Sequence, residues 1–239
     1  MDDLLLLLQS NWLNAAALVW FLLCFRGYMY YSAHKSHTTP CLASMLHLYR
    51  REWMERMLTR EVRIADTTAI ANLERSVAFF ASTTILVLAG LVTVMNSAEK
   101  AINLVRDLPF VMPATPQEWE LKLLVMVVLF IYAFFKFTWS LRQYGFVSVM
   151  IGGAPLPSEQ PSPEQLSAHA ERIATMASMA ANSFNLGLRT YYFSIGVLGW
   201  FINPWCFMAL TLAIVVVLYR REFTSPTLKI LMMSSGEPR

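Results

Sequence analysis

The sequence predicts an all-α protein: a polytopic helical membrane bundle of about five transmembrane helices, two of them extended into the cytoplasm, plus an amphipathic cytoplasmic helix. Three observations predict it. Of 239 residues, 56% are hydrophobic and only 15% are charged, where a soluble domain carries roughly a quarter charged. The mean hydropathy is +0.45, and the apolar residues gather into stretches of about 20, the length that a ~30 Å hydrocarbon layer requires. Lys and Arg are concentrated in alternate connections between those stretches, as in proteins oriented by a basic cytoplasmic face. The length fits one integral membrane domain over residues 1–239 and leaves no room for a separate soluble domain of the usual ~100 residues.

The first span is expected at 12–31. No small-residue cleavage site follows it and no Lys or Arg precedes it, so it reads as a retained helix. The second covers 76–95 and the third 121–141, the latter interrupted by Lys136. The apolar stretch from Tyr191 to Tyr219 could be one tilted helix or two short ones. Asn203-Pro204 decides for two, because Asn-Pro initiates turns and an internal Pro removes a helical hydrogen bond. Spans four and five are therefore placed at 186–202 and 205–219. With the N-terminus outside and the C-terminus cytoplasmic, only Lys100, Arg106 and Lys122 of the 19 basic residues fall outside, Arg26 and Lys136 lie within spans, and the rest fall inside. A four-span chain would move Arg220, Arg221, Lys229 and Arg239 outward.

Helix punctuation predicts rods longer than the membrane. Thr39-Pro40 reads as an N-cap and first residue of a helix over 40–59, Thr115-Pro116 with Glu118 as a capping box, and Ser162-Pro163 with Gln165 as another. From 163 a single helix can run to 202, roughly 60 Å at ~1.5 Å per residue. The Pro-rich stretch 152–162 is the preceding linker. In the 40–59 helix, Leu42, Leu46, Tyr49, Trp53 and Met57 form one apolar stripe, and Arg51 with Glu55 and Glu52 with Arg56 are i,i+4 pairs. One reading lays this helix on anionic lipid, with Trp53 at headgroup level and Arg56 and Arg60 toward the phosphates. The other docks it on the protein's own cytoplasmic helices.

Three blocks carry a family resemblance: SMLHLYRREWMERMLTREVRIADTTAIANLERSVAFFASTTILVLAGL, then ELKLLVMVVLFIYAFFKFTWSLRQYGF, then FNLGLRTYYFSIGVLGWFINPWCFMALTLAIVVVLYRREF. Over residues 40 to 223 the chain resembles the bacterial domain-of-unknown-function family numbered 599. The resemblance implies an integral membrane protein, expected in the bacterial inner membrane. It implies no activity and supplies no catalytic residues.

The candidate site is a set of polar residues near the inner third of the membrane: Arg26, Glu74, Arg75, Lys136 and Arg189, with Asn182 and Asn185 at neighbouring helix ends. A charge inside a span faces the bundle interior, a partner or a water-filled cavity unless it can snorkel. Four cations against one Glu would create a positive field suited to a phosphate headgroup or an ion pathway. His34, His37, Cys41 and His47 are the only metal-like grouping, and an HxxH spacing alone does not supply converging ligands, so no metal is expected. The spans hold no His pair for haem, no cofactor is expected, and phosphate-loop, nucleophile-elbow and zinc-protease signatures are absent. Cys24, Cys41 and Cys206 are odd in number and far apart, which argues against a disulfide framework. A net charge of +3 without a basic tract argues against nucleic acid. Small residues (Ala81-Ser82, Ala89-Gly90, Gly196, Gly199) are expected to let helices approach closely. The functional expectation is a homo-oligomeric, channel-like or transport protein with a basic cytoplasmic vestibule. Its competitor is a non-catalytic scaffold or accessory subunit that binds membrane lipids or another membrane complex.

Overall fold

The computed structural model describes residues 12–36, 38–97, 100, 102, 112 and 115–233, and the regular structure among them is helical. The principal helices are α1 (Trp12–Lys35), α2 (Leu42–Leu58), α3 (Ile64–Met95), α4 (Pro116–Gly152), α5 (Pro163–Leu198), α6 (Pro204–Phe223) and α7 (Pro226–Met233). Short 3-10 turns lie at Pro157–Glu159 and Gly199–Phe201. Among the described residues three helices, α1, α3 and α4, are long and apolar enough to cross a membrane.

Local chemistry sets the helix ends. The Thr115 hydroxyl accepts from the Glu118 N–H while Glu118 accepts from the Thr115 N–H, and Ser162 and Gln165 do the same. Each box satisfies two of the amides a helix start leaves orphaned. The α2 start lies two residues later than expected: Cys41, not Thr39, is the N-cap, because the Cys41 N–H donates to Ser44 Oγ at 2.9 Å and Cys41 Sγ accepts from the Ser44 N–H. Asn203 adopts extended backbone and accepts from the Cys206 N–H at 2.7 Å, which ends one helix and opens the next at Pro204. The long helix expected to reach 202 therefore closes at Leu198, with Gly199–Phe201 tightening into the 3-10 turn.

Side-chain pairings fix the helix directions. Trp119 meets Phe201 (4.8 Å between ring centroids), Phe130 meets Tyr191 (5.0 Å), and Ser140 Oγ donates to the Ala180 carbonyl at 2.7 Å, so α4 and α5 are antiparallel. Phe80 on Phe137 and Ser148 on Glu74 make α3 antiparallel to α4. A side chain at Gly199 would meet Leu210 and one at Gly196 would meet Ile214, while Arg189 pairs with Glu222. Thus α5 and α6 form a hairpin. Trp20 contacts Met208 and Tyr31 contacts Tyr219, making α1 parallel to α6. Helices α1, α4 and α6 run one way and α3 and α5 the other.

Three helices outrun a bilayer core, where two were expected. Besides α3 and α5, α4 continues past 141 to Gly152, giving 37 residues or roughly 55 Å at ~1.5 Å per residue. Its extension is held by Gln143, Tyr144, Val147 and Ile151, a buried stripe at helical spacing that succeeds the all-round apolar stretch. Of the small residues, Gly196 and Gly199 do admit α6, whereas Gly90 faces open space.

One core, around Phe21, Phe130, Phe193, Trp200 and Phe207, joins α1, α4, α5 and α6. The other, around Met54, Met57, Ile70, Phe137, Tyr144 and Ile173, joins α2 to α3, α4 and α5. Outward from the helices point Leu23, Phe79, Leu86, Phe135 and Val217, all exposed. Exposed apolar side chains of this size on several helices suit contact with lipid. At the end carrying α2, the Arg63 guanidinium donates to the carbonyls of Ile151, Ala154 and Pro155, closing the end of α4.

Candidate functional site

α2 lies across the first half of α5 and the end of α6, with its apolar stripe turned inward. His47 Nδ1 lies 3.0 Å from Ser178 Oγ, and Arg51 bridges Glu55 and Glu171 at 3.1 and 3.3 Å. Trp53, placed at the lipid headgroups by one of the two readings and against the protein by the other, donates its indole N–H to Asp66 at 2.7 Å and packs on the neighbouring core. Arg60 donates to the same Asp66 oxygen at 2.8 Å. The physical reason is Asp66 itself, which is 3% exposed and recruits both donors to offset its desolvation. Arg56 remains exposed and pairs with Glu52.

Of the expected site residues, Asn182, Asn185 and Arg189 come together. They line a cavity of about 50 Å³ between α2, α5 and α6, whose wall also includes Tyr28, Leu46, Arg50, Arg221 and Glu222. The Glu222 carboxylate receives Arg189 Nη2 at 3.2 Å and the Ala43 N–H at 3.3 Å, so it joins α5 to the first turn of α2. Arg189 and Glu222 are nearly enclosed, with side chains 15% and 13% exposed. Tyr28 lies under the Arg189 guanidinium, 5.5 Å from ring centroid to Cζ. Arg221 donates to the Tyr192 hydroxyl at 2.7 Å.

Arg50 differs from these cations. Its Nη1 reaches Ser178 Oγ at 3.4 Å, and among the described residues no carboxylate pairs with it. Burial pushes its guanidinium below the usual arginine value, opposed by the nearby Tyr144. Burial in turn pushes the Tyr144 hydroxyl up, opposed by Arg50. The guanidinium has five N–H donors, and the one long contact to a hydroxyl leaves most of them free to meet solvent or a ligand.

The other expected residues lie elsewhere. Arg26 is exposed on α1, and Arg75 is exposed on α3 with Nη1 3.4 Å from Asn72 Oδ1. Glu74 accepts from Ser148 at 3.1 Å. Lys136 lies over Tyr132, one turn back on α4, with Nζ 5.3 Å from the ring centroid. Lys136 and Glu74 are not an ion pair. Lys136→Met is accordingly expected to change thermal stability in detergent by no more than about 0.5 kcal/mol, the range of surface substitutions away from special features. A loss of several kcal/mol would require a buried partner for Lys136.

His34 stacks on Tyr30, Cys41 caps α2, and His47 Nε2 is 3.8 Å from Glu171. His37 lies outside the described residues. Among the described residues no three His, Cys, Asp or Glu side chains gather as a metal site.

Sequence reasoning missed Arg50, Arg221 and Glu222. For Arg50 a signal existed, since it follows Leu46 by four and precedes Trp53 by three, at the edge of the apolar stripe. Nothing in the sequence joins Glu222 to residues 33 and 179 positions away.

Residues 16–227 match the model of a family described as a protein of unknown function, DUF599. No curated protein and no solved structure matches the chain.

Proposed function

We propose, from the premise that this chain belongs to the DUF599 family, to which no function is assigned, that it is a non-catalytic binding or accessory protein of the bacterial inner membrane. Five helices cross, α1, α3, α4, the second half of α5, and α6, with the N-terminus outside and the C-terminus cytoplasmic. Their alternating directions and the gathering of arginines around α2 support this topology. The working surface is the cytoplasmic cap, where α2, α5 and α6 enclose the arginine cleft.

One observation carries the choice of a binding protein over a pore. A basic conduction path would place Lys136 and Arg189 on a shared aqueous axis, but Arg189 is neutralised by Glu222 within the helix junction while Lys136 rests on Tyr132 away from the cleft. Both arrangements suit a folded binding module better than a vestibule. A homo-oligomeric channel would need copies set around an axis, with the exposed Phe79 and Leu86, one above the other on α3, as its contact face.

Reconstituted in liposomes, the chain is expected to carry chloride or phosphate no faster than protein-free vesicles. Saturable flux above that background would overturn the binding reading. A reporter fused after Arg239 is expected to read cytoplasmic and one inserted near Pro113 periplasmic. A periplasmic C-terminus would contradict the five crossings.

A further inference from the structure

We infer that the cleft between α2, α5 and α6 is a binding site for a terminal phosphate group, delivered either by an anionic glycerolipid that is a phosphate monoester or by free inorganic phosphate. The inference rests on the binding-module reading and names the ligand class of that module.

Charge is the first argument. Among the described residues, Arg50, Arg189 and Arg221 share the wall with a single carboxylate, Glu222, which is already engaged with Arg189 and the Ala43 N–H. The excess positive charge rests on Arg50 and Arg221, and of these Arg50 has only a long hydroxyl contact. Guanidinium groups match phosphate oxygens as paired donors. The position of Glu222 also shows that the α2 start and Arg189 already draw a carboxylate into the cleft.

Shape is the second. Asn182, Asn185 and Arg189 follow one another at spacings of three and four on one face of α5, adding neutral amide donors beside the cations. A water needs roughly 10–15 Å³ of such space, so about 50 Å³ accommodates three or four atoms of oxygen size. That suits the oxygens of a bare phosphate better than a bulkier choline or inositol headgroup. A monoester can also carry a second negative charge, matching two arginines that have no carboxylate partner among the described residues. Leu46, Leu188, Leu218 and Tyr28 supply an apolar wall for a lipid stem.

The test follows thermal unfolding of the purified full-length chain in mild detergent with added phosphatidic acid, phosphatidylglycerol, phosphatidylcholine or inorganic phosphate. Phosphatidic acid is expected to raise the midpoint saturably, with phosphatidylglycerol and phosphatidylcholine far behind. Arg50→Gln should weaken the apparent affinity roughly tenfold or more, the size of one lost charge-assisted contact. Arg142→Gln, which removes an exposed α4 cation lying over Phe146, should leave it unchanged. Asn182→Asp places a carboxylate at an exposed position in the wall, so it should abolish the shift without disturbing the core. An Arg50-dependent shift with phosphatidic acid alone identifies a lipid ligand; the same shift with inorganic phosphate identifies a soluble one. The site is overturned if no ligand gives an Arg50-dependent shift, if phosphatidylglycerol equals phosphatidic acid, or if Arg142→Gln costs as much as Arg50→Gln. Should Arg50→Gln fail to fold, Asn182→Asp decides: an unaltered phosphatidic acid shift in that variant overturns the site. Liposome flux reads a different property, so conduction with an intact Arg50-dependent shift would remove the non-channel reading and leave the phosphate site standing.

Discussion

Replacing Glu222 by leucine is expected to destabilise the bundle by about 3–5 kcal/mol, because it leaves the Arg189 guanidinium enclosed without its counter-charge. The pair is 3.2 Å apart and both side chains are largely excluded from solvent. The same change removes the acceptor for the Ala43 N–H, so the first turn of α2 loses its tie to α6. Glu222→Gln separates the two effects, since an amide oxygen can still accept from Ala43 while the charge on Arg189 goes unanswered. The double change Arg189→Met with Glu222→Leu should recover most of the loss, as no enclosed charge then remains to be desolvated. Chemical unfolding of the wild type, Arg189→Met, Glu222→Leu and their double, with Glu222→Gln beside them, in one lipid or detergent background measures the cycle. If Glu222→Leu costs less than about 1 kcal/mol, the junction is wetter than the pairing implies.

Gly187→Ala is expected to cost close to the upper end of the ~1–3 kcal/mol typical of overpacking. A methyl group at this position would collide with three atoms of the Phe137 ring. That ring is fully buried and held by Phe80, Phe184 and Tyr191, so it has no free direction in which to move. Phe137→Leu in the same chain should return part of the stability by vacating that volume. An additive pair of losses would show that Gly187 serves some purpose other than admitting the ring.

These effects concentrate where sequence reading has least reach. The helix starts at Pro116 and Pro163 and the break at Asn203-Pro204 were legible because each rests on side chains within three residues of the backbone groups they satisfy. The capping of α2 by Cys41 was less so, since a thiol is a weak acceptor that Ser44 makes effective by reciprocating. Length of α4 was hidden by a change in its pattern: an all-round apolar segment gives way to a one-sided stripe at Gln143, Tyr144 and Val147, and hydropathy alone marks only the first. The stripe of α2 was read correctly, but its partner could not be, because an apolar face with a Trp suits lipid and protein equally until Asp66 is brought beneath Trp53. The candidate site divided along the same line. Asn182, Asn185 and Arg189 share one helix and periodicity assembles them, whereas Arg26, Glu74, Arg75 and Lys136 were grouped by estimated depth, which fixes height along the bundle but not the side a residue faces. Arg50 and Glu222 enter only through the crossing of α2 over α5 and α6.

Native mass spectrometry of the full-length chain, released from nanodiscs of mixed phospholipid that include phosphatidic acid, tests the central claim most directly, because one mass reports both assembly and retained lipid. The account predicts one phosphatidic acid held per chain, lost in the Arg50→Gln protein. A closed ring of chains retaining no anionic lipid would contradict it.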